Sequence, residues 1–153
     1  MLFLVFQLGR DRYALDATRI VEVLPLVDLK KIPQSPPGVA GVFNYRGTPV
    51  PVIDLSQLTL GHPARSCLST RILLVHDTNG WGEVRMLGLI AEHVTETVQR
   101  DPAEFVPSGI STGAAPYLGP VATDARGLMQ RIDMDTLLPV SVKDALFNQV
   151  LDQ

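Results

Sequence analysis

The stretch Val39-Ala40-Gly41-Val42-Phe43-Asn44-Tyr45-Arg46-Gly47-Thr48-Pro49-Val50-Pro51-Val52-Ile53-Asp54-Leu55 sets the architecture. Two apolar runs, 39–45 and 48–53, are split by Arg46-Gly47, which reads as a hairpin closed by a tight turn. Pro49 and Pro51 occupy alternate positions of the second run. Proline has no N–H to give to a ladder, so this run reads as an edge or semi-extended strand. Asp54 then opens Asp-x-x-x-Leu, the pattern of an N-capped single helical turn.

On the N-terminal side, Leu2–Leu8 and Arg12–Leu15 read as a hairpin around Gly9-Arg10-Asp11. Ile20–Leu24 follows as a strand, then a short Leu29–Ile32 segment and the breaker Pro36-Pro37-Gly38. On the C-terminal side the plan repeats. Tyr13 to Val23 aligns without gaps on Leu87 to Thr97, and Arg46-Gly47 with Ile53-Asp54-Leu55 is echoed by Arg126-Gly127 with Ile132-Asp133-Met134. Asp133 to Leu137 supplies a second capped turn. Two pseudo-equivalent units of strands, divided between Gly61 and Ser69, are therefore expected. Units this small bury a low fraction of their surface, so they are expected to share an apolar interface. Val142–Leu151 has near-helical apolar spacing and either packs across that seam or frays.

The chain has 153 residues, 46% of them hydrophobic, enough for one core. A net charge of -3 with no Lys/Arg run argues against nucleic acid as a partner. The apolar start, Met1 to Phe6, has no basic flank or small-residue cleavage site, so it reads as a first strand. No run approaches the roughly 20 apolar residues that span a bilayer, so neither membrane insertion nor a secretory route is expected. Cys67 is the single cysteine, which suits a reducing compartment.

Catalytic patterns are missing. His62, His76 and His93 are isolated in sequence; there is no Gly-x-Ser-x-Gly elbow, no His-Glu-x-x-His pair and no phosphate loop. No metal spacing surrounds Cys67, which reads as an ordinary loop cysteine rather than an activated thiol. No cofactor is expected. Trp81, in Asn79-Gly80-Trp81-Gly82, is either a partner anchor at a hairpin tip or packs on its own hairpin.

The 39–55 stretch resembles the signature of the CheW adaptor family, a G-V-x-N-x-R-G strand and turn leading into V-P-V-I-D-L. Phe6-Gln7-Leu8-Gly9, Tyr13-Ala14-Leu15, Val21-Glu22-Val23, Tyr117-Leu118-Gly119 and Ile132-Asp133 fall in register with it. The resemblance implies an all-β fold with short helices: two five-stranded SH3-like β-barrels around a shared hydrophobic core. The first barrel would run from about 12 to 65 and the second from about 69 to 139, with the strand 2–8 and a helix over 142–151 crossing between them. It implies a cytoplasmic, non-catalytic scaffold that bridges the signalling tip of a methyl-accepting chemoreceptor to the regulatory domain of a CheA-type histidine kinase.

The residues that would meet partners follow from the same resemblance. Ile20, Val23 and Leu24 match the apolar receptor groove, with Glu22 beside them, a helix-in-groove contact. Strand neighbours face opposite sides, so part of this set must be core. Arg46 at the hairpin tip would pair a partner's carboxylate or carbonyl, or brace its own loop. Asn44 is read as shaping the turn. Gly41 and Gly47 are read as backbone-permissive, Gly41 also admitting a partner closely. Tyr45, where the family usually has leucine, and Ala91-Glu92-His93 depart from the pattern and point to a non-flagellar, Wsp-type chemosensory system. Asp101–Pro116 is read as a mobile loop. The competing readings are a stand-alone SH3-like module that binds peptides or self-assembles through strand edges, and a small hydrolase or nucleotide binder.

Overall fold

The computed structural model describes residues 1–78, 84–111, 113 and 115–138. Among them nine strands form in order: β1 (Leu2–Leu8), β2 (Asp11–Asp16), β3 (Ile20–Pro25), β4 (Val39–Tyr45), β5 (Thr48–Asp54), β6 (Arg71–Thr78), β7 (Val84–Gln99), β8 (Leu118–Asp124) and β9 (Gly127–Ile132). One helix, α1 (Leu55–Leu60), follows β5. Both capped turns form. Asp54 Oδ1 accepts from the N–H of Ser56 at 3.0 Å and of Gln57 at 3.2 Å, and Asp133 Oδ1 accepts from the N–H of Asp135 at 2.9 Å. Pro49 and Pro51 pair with β4 alone, whereas Val52–Asp54 lie between β4 and β7. The proline half of β5 is thus an edge and its apolar half is not.

The ladders divide the chain differently from the expected split into 12–65 and 69–139. One set of pairings joins β3, β6, the first part of β7, β5 and β4. The other joins the second part of β7, β1, β2, β9 and β8. Each barrel therefore takes a hairpin from one sequence repeat and three strand segments from the other, and β2, expected in the first barrel, pairs with β9 in the second. β7 serves both barrels. Its register against β1 jumps between Val5–Glu96 and Gln7–Glu92, and His93 sits there with φ 46°.

Alternation along the hairpin strands explains why they are so apolar. On β1, Leu4, Phe6 and Leu8 enter one large cluster while Phe3 and Val5 enter another; on β6, Leu73 and Val75 enter the large cluster while Ile72 and Leu74 enter a third. The large cluster draws on both barrels and is the shared core. The two smaller ones fill the barrel interiors. Strands buried on both faces read as continuous apolar runs, as in Ile72-Leu73-Leu74-Val75.

The start of the Asp101–Pro116 stretch is built into the second barrel, contrary to the mobile-loop reading. Asp101 and Glu104 form a capping box around Pro102–Glu104. Phe105 is buried with its ring 5.0 Å from Phe3, and Val106 exchanges two 2.8 Å backbone hydrogen bonds with Val121. The Trp81 hairpin tip and the 142–151 segment lie outside the described residues.

Two carboxylates tie loops to the barrels. Buried Glu92, at the β7 bend, accepts from the N–H of Gly9 at 3.0 Å and of Arg65 at 2.6 Å, joining the β1–β2 turn to the segment after α1. Asp124, at the end of β8, takes both terminal nitrogens of Arg12 at 2.9 and 2.5 Å. That hydrogen bonding holds the Asp124 carboxyl down at about 2.

Glu92→Ala should remove the carboxylate that accepts from both the Gly9 and the Arg65 N–H. The expected cost is about 3 kcal/mol, a fall of roughly 10 °C in melting midpoint; a midpoint unchanged in calorimetry would refute the brace. For Asp124, a folded value below the ordinary 3.8 means that its stabilisation is full well above 3.8, begins to fade as pH falls through that value and is lost as pH drops through about 2. Carboxyl-carbon NMR should follow that titration, and Arg12→Gln should return the midpoint toward 3.8.

Candidate partner-binding site

The β4–β5 hairpin has a two-residue tip in which Arg46 and Gly47 both have positive φ, 51° and 89°, the signature of a type I′ turn. Glycine at 47 meets nothing within 4 Å, so backbone conformation alone selects it. Asn44 Oδ1 accepts from the Gly47 N–H at 2.7 Å and so closes the turn. An arginine held in the left-handed region projects from the tip, and the Arg46 side chain is 77% exposed.

Gly41 serves the chain itself. Its φ is 151°, and a Cβ there would lie 2.6 Å from the carbonyl oxygen of Lys30. Lys30 and Val42 exchange two backbone hydrogen bonds, 2.8 and 2.9 Å, which bring the segment after β3 against β4. The expected close approach at Gly41 is taken by the chain itself, since Leu29 and Lys30 fill the space beside it.

On β3 the two faces separate cleanly. Ile20 and Leu24 are half-buried, Ile20 against the shared core and Leu24 against the interior of the first barrel. Val21, Val23 and Pro25 point outward, with Val21 and Val23 about 40% exposed. The structure therefore splits the apolar set read from the sequence. Val23 is on the open face, and Val21, which was not among the candidates, stands beside it. Strict alternation along β3, counted from Ile20, was the signal that would have found it.

Glu22, on the half-buried side, meets the hairpin tip. The Tyr45 hydroxyl donates to Glu22 Oε1 at 2.7 Å, and Arg46 Nη2 lies 3.6 Å from the same oxygen. The Arg46 guanidinium rests over the Tyr45 ring, 5.0 Å from its centroid, and that ring meets Phe43 edge-on at 6.3 Å. The hydrogen bond to Glu22 pushes the Tyr45 phenol above its ordinary value. Glu22, Asn44, Arg46 and Gly47 are thus one cluster, with Tyr45 at its centre. The sequence marked Tyr45 as unusual without giving it a task.

The repeat has a counterpart. Glu96, aligned with Glu22, takes Arg126 Nη2 on both carboxylate oxygens at 2.9 Å. There only Gly127 has positive φ, so the same Arg-Gly pair occupies a different turn.

The polar groups around α1 are engaged within the chain. Asp54, Ser56 and His62 do approach, but Ser56 is fully buried and donates its hydroxyl proton to the His62 carbonyl at 2.8 Å, while Asp54 is engaged by backbone N–H groups, including that of Ala64 at 3.0 Å. Among the described residues no three His, Cys, Asp or Glu side chains gather as metal ligands, and no helix is long and apolar enough to cross a membrane. The exposed face instead offers apolar side chains, a guanidinium and a strand edge, the materials of a protein contact.

Comparison with known proteins agrees with that geometry. The family model of the CheW-like domain matches residues 2–141. The chemotaxis protein CheW of Klebsiella aerogenes is 25% identical over 138 residues, covering 89% of this chain and 80% of that protein. The chemotaxis protein CheW of Helicobacter pylori is 28% identical over 106 residues, covering 69% of this chain and 61% of that protein. The crystal structure of the scaffolding protein TtCheW from Thermoanaerobacter tengcongensis superposes with a TM-score of 0.78 at 27% identity, covering 92% of this chain and 89% of that one. It has the same two SH3-like β units. A match across nearly the whole chain, on top of the two-barrel fold and the hairpin signature, means that this protein belongs to the CheW-like domain family.

Proposed function

We propose that this chain is a non-catalytic, cytoplasmic adaptor that couples a methyl-accepting chemoreceptor to a CheA-type histidine kinase in chemosensory signalling. CheW-family proteins are adaptors, not enzymes, and likeness to a solved scaffolding protein over 92% of this chain carries the reading. The finer assignment is that the receptor's signalling tip meets the exposed apolar face of β3, Val21 and Val23, and that Arg46 meets the kinase regulatory domain. Two facts support it. Val21 and Val23 are large side chains left open on an edge strand, where unpaired backbone and apolar area are together available to a partner. The Arg46 side chain is 77% exposed against 39% for Glu22, and it carries a planar set of donors suited to a carboxylate.

Association with receptor arrays would follow from these contacts rather than from insertion into lipid. The chain would transmit a shift in contact geometry and turn over no substrate.

Substitutions separate contact from structure. Val23→Asp should weaken binding to a receptor signalling-tip fragment at least about tenfold, with the melting midpoint held near wild type; full-strength binding would remove β3 from the receptor site. Arg46→Ala should also leave the midpoint near wild type, since exposed ion pairs contribute little, while lowering affinity for the kinase regulatory domain. Gly41→Ala should behave oppositely. Its Cβ collides with Lys30, so a loss of about 2 kcal/mol in denaturant unfolding is expected.

A further inference from the structure

Each barrel has an open seam. In the first, the ladder order runs from β3 at one edge to β4 at the other, and in the second from the end of β7 to β8. Backbone crosses the seams only beyond the edge strands, at Lys30–Val42 and Val106–Val121, among the described residues. Across both seams, near the hairpin tips, a glutamate of the first edge strand reaches the opposite hairpin. The second barrel uses arginine for this, Arg126 on Glu96 at 2.9 Å. The first does not, because Arg46 stands 3.6 Å from Glu22 while the Tyr45 hydroxyl holds the same oxygen at 2.7 Å.

We propose that Tyr45, not Arg46, clasps the seam of the first barrel through Glu22, and that this exchange is what leaves the Arg46 guanidinium available to an acidic group of the kinase regulatory domain. The inference rests on the partner role proposed for Arg46. Geometry supplies the argument. Glu22 Oε1 takes the Tyr45 hydroxyl at 2.7 Å, a full hydrogen bond, while Arg46 Nη2 stands at 3.6 Å, beyond hydrogen-bond reach, and keeps only a long ion pair. The Tyr45 ring, anchored edge-on to Phe43, supports the guanidinium from below without using its N–H donors. In the second barrel, where the turn carries no tyrosine, the arginine is itself the clasp and both glutamate oxygens face it. Side-chain exposure follows the same logic, 77% for Arg46 against 64% for Arg126. Tyr45 is accordingly a positioning residue. It sets how far Arg46 stands from the barrel and fastens the tip to β3, the strand that bears Val23.

The test removes one oxygen. In Tyr45→Phe the ring stays and Glu22 is freed, so Arg46 should swing onto the carboxylate. Affinity for the purified regulatory domain of the kinase should fall about fivefold, the worth of a charge-assisted contact. Adding Glu22→Gln removes the competing charge and should restore affinity to within about twofold of wild type, a rescue that a merely structural tyrosine would not show. The Arg46 Nε–H resonance, followed by NMR without partner, should move in Tyr45→Phe and return in the double variant. Unchanged affinity in Tyr45→Phe, or a loss that Glu22→Gln leaves in place, overturns the proposal. If Arg46→Ala binds the domain as well as wild type, the partner role of Arg46 fails. In that case a displaced and rescued Nε–H signal still upholds the clasp, and an unmoved signal overturns it as well.

Discussion

Burial of the β1–β2 and β6–β7 hairpins on both faces is the constraint from which the rest of the structure follows. One face of each hairpin lines a barrel interior and the other enters the shared core, so Phe3 and Leu4, or Ile72 and Leu73, neighbours in sequence, belong to different clusters. Neither barrel can be completed by its own repeat. A hairpin with two apolar faces needs covering on both sides, and the covering comes from the three strand segments of the opposite repeat. β7 shows what this requires of the backbone. Sixteen residues run through both sheets, and the change of direction falls at Glu92-His93, where one residue takes positive φ and the adjacent carboxylate anchors two loops.

This arrangement also fixes where the surface is unfinished. An SH3-like sheet of five strands has two edges that curl toward one another, and here they meet through side chains and a single flanking bridge rather than a full ladder. The seam of the first barrel collects β3, the Arg46 tip and the segment Leu29–Lys30. Alternation along β3 turns Glu22 inward and leaves Val21 and Val23 side by side on the open face. The interior is closed; the edges are the part of the molecule with backbone groups and apolar area still to satisfy.

Most local structure was legible. The bounds of β4 read directly from Val39–Tyr45, the turn chemistry from Asn44 and Gly47, and the caps from Asp54 and Asp133, because each rests on interactions spanning a few residues. The internal repeat was legible too, yet it misled about which strands share a barrel. Alignment shows that two units are alike and carries no information on whether a hairpin packs within its own unit or is exchanged with the other. The same limit applied to Gly41 and Phe105. A glycine in a strand signals a close approach but not what approaches, and Lys30 lies eleven positions away across a proline-rich loop. Phe105 sits in a stretch rich in Pro, Ser, Thr and Gly, and its burial depends on Phe3, a hundred positions distant.

A scaffold has to recognise partners without storing much of its own stability in the groups that do so. The cluster at the first seam meets that requirement. Its ion pair is long and exposed, so it contributes little to folding, while the stability of the neighbourhood comes from Phe43, Val50, Val52 and Ile72 beneath it. Groups of low structural worth can change partners without unfolding the barrel under them. Tyr45 joins the two layers, its ring against the barrel interior and its hydroxyl on an edge-strand carboxylate. The second barrel makes the contrast plain. There Arg126 is held by both oxygens of Glu96, and the adjacent turn is pinned by the Arg12–Asp124 pair, leaving a tip committed to its own fold. Two units that began as repeats have thus come to hold the same charged pair in different states, one engaged within the chain and one turned toward what lies outside it.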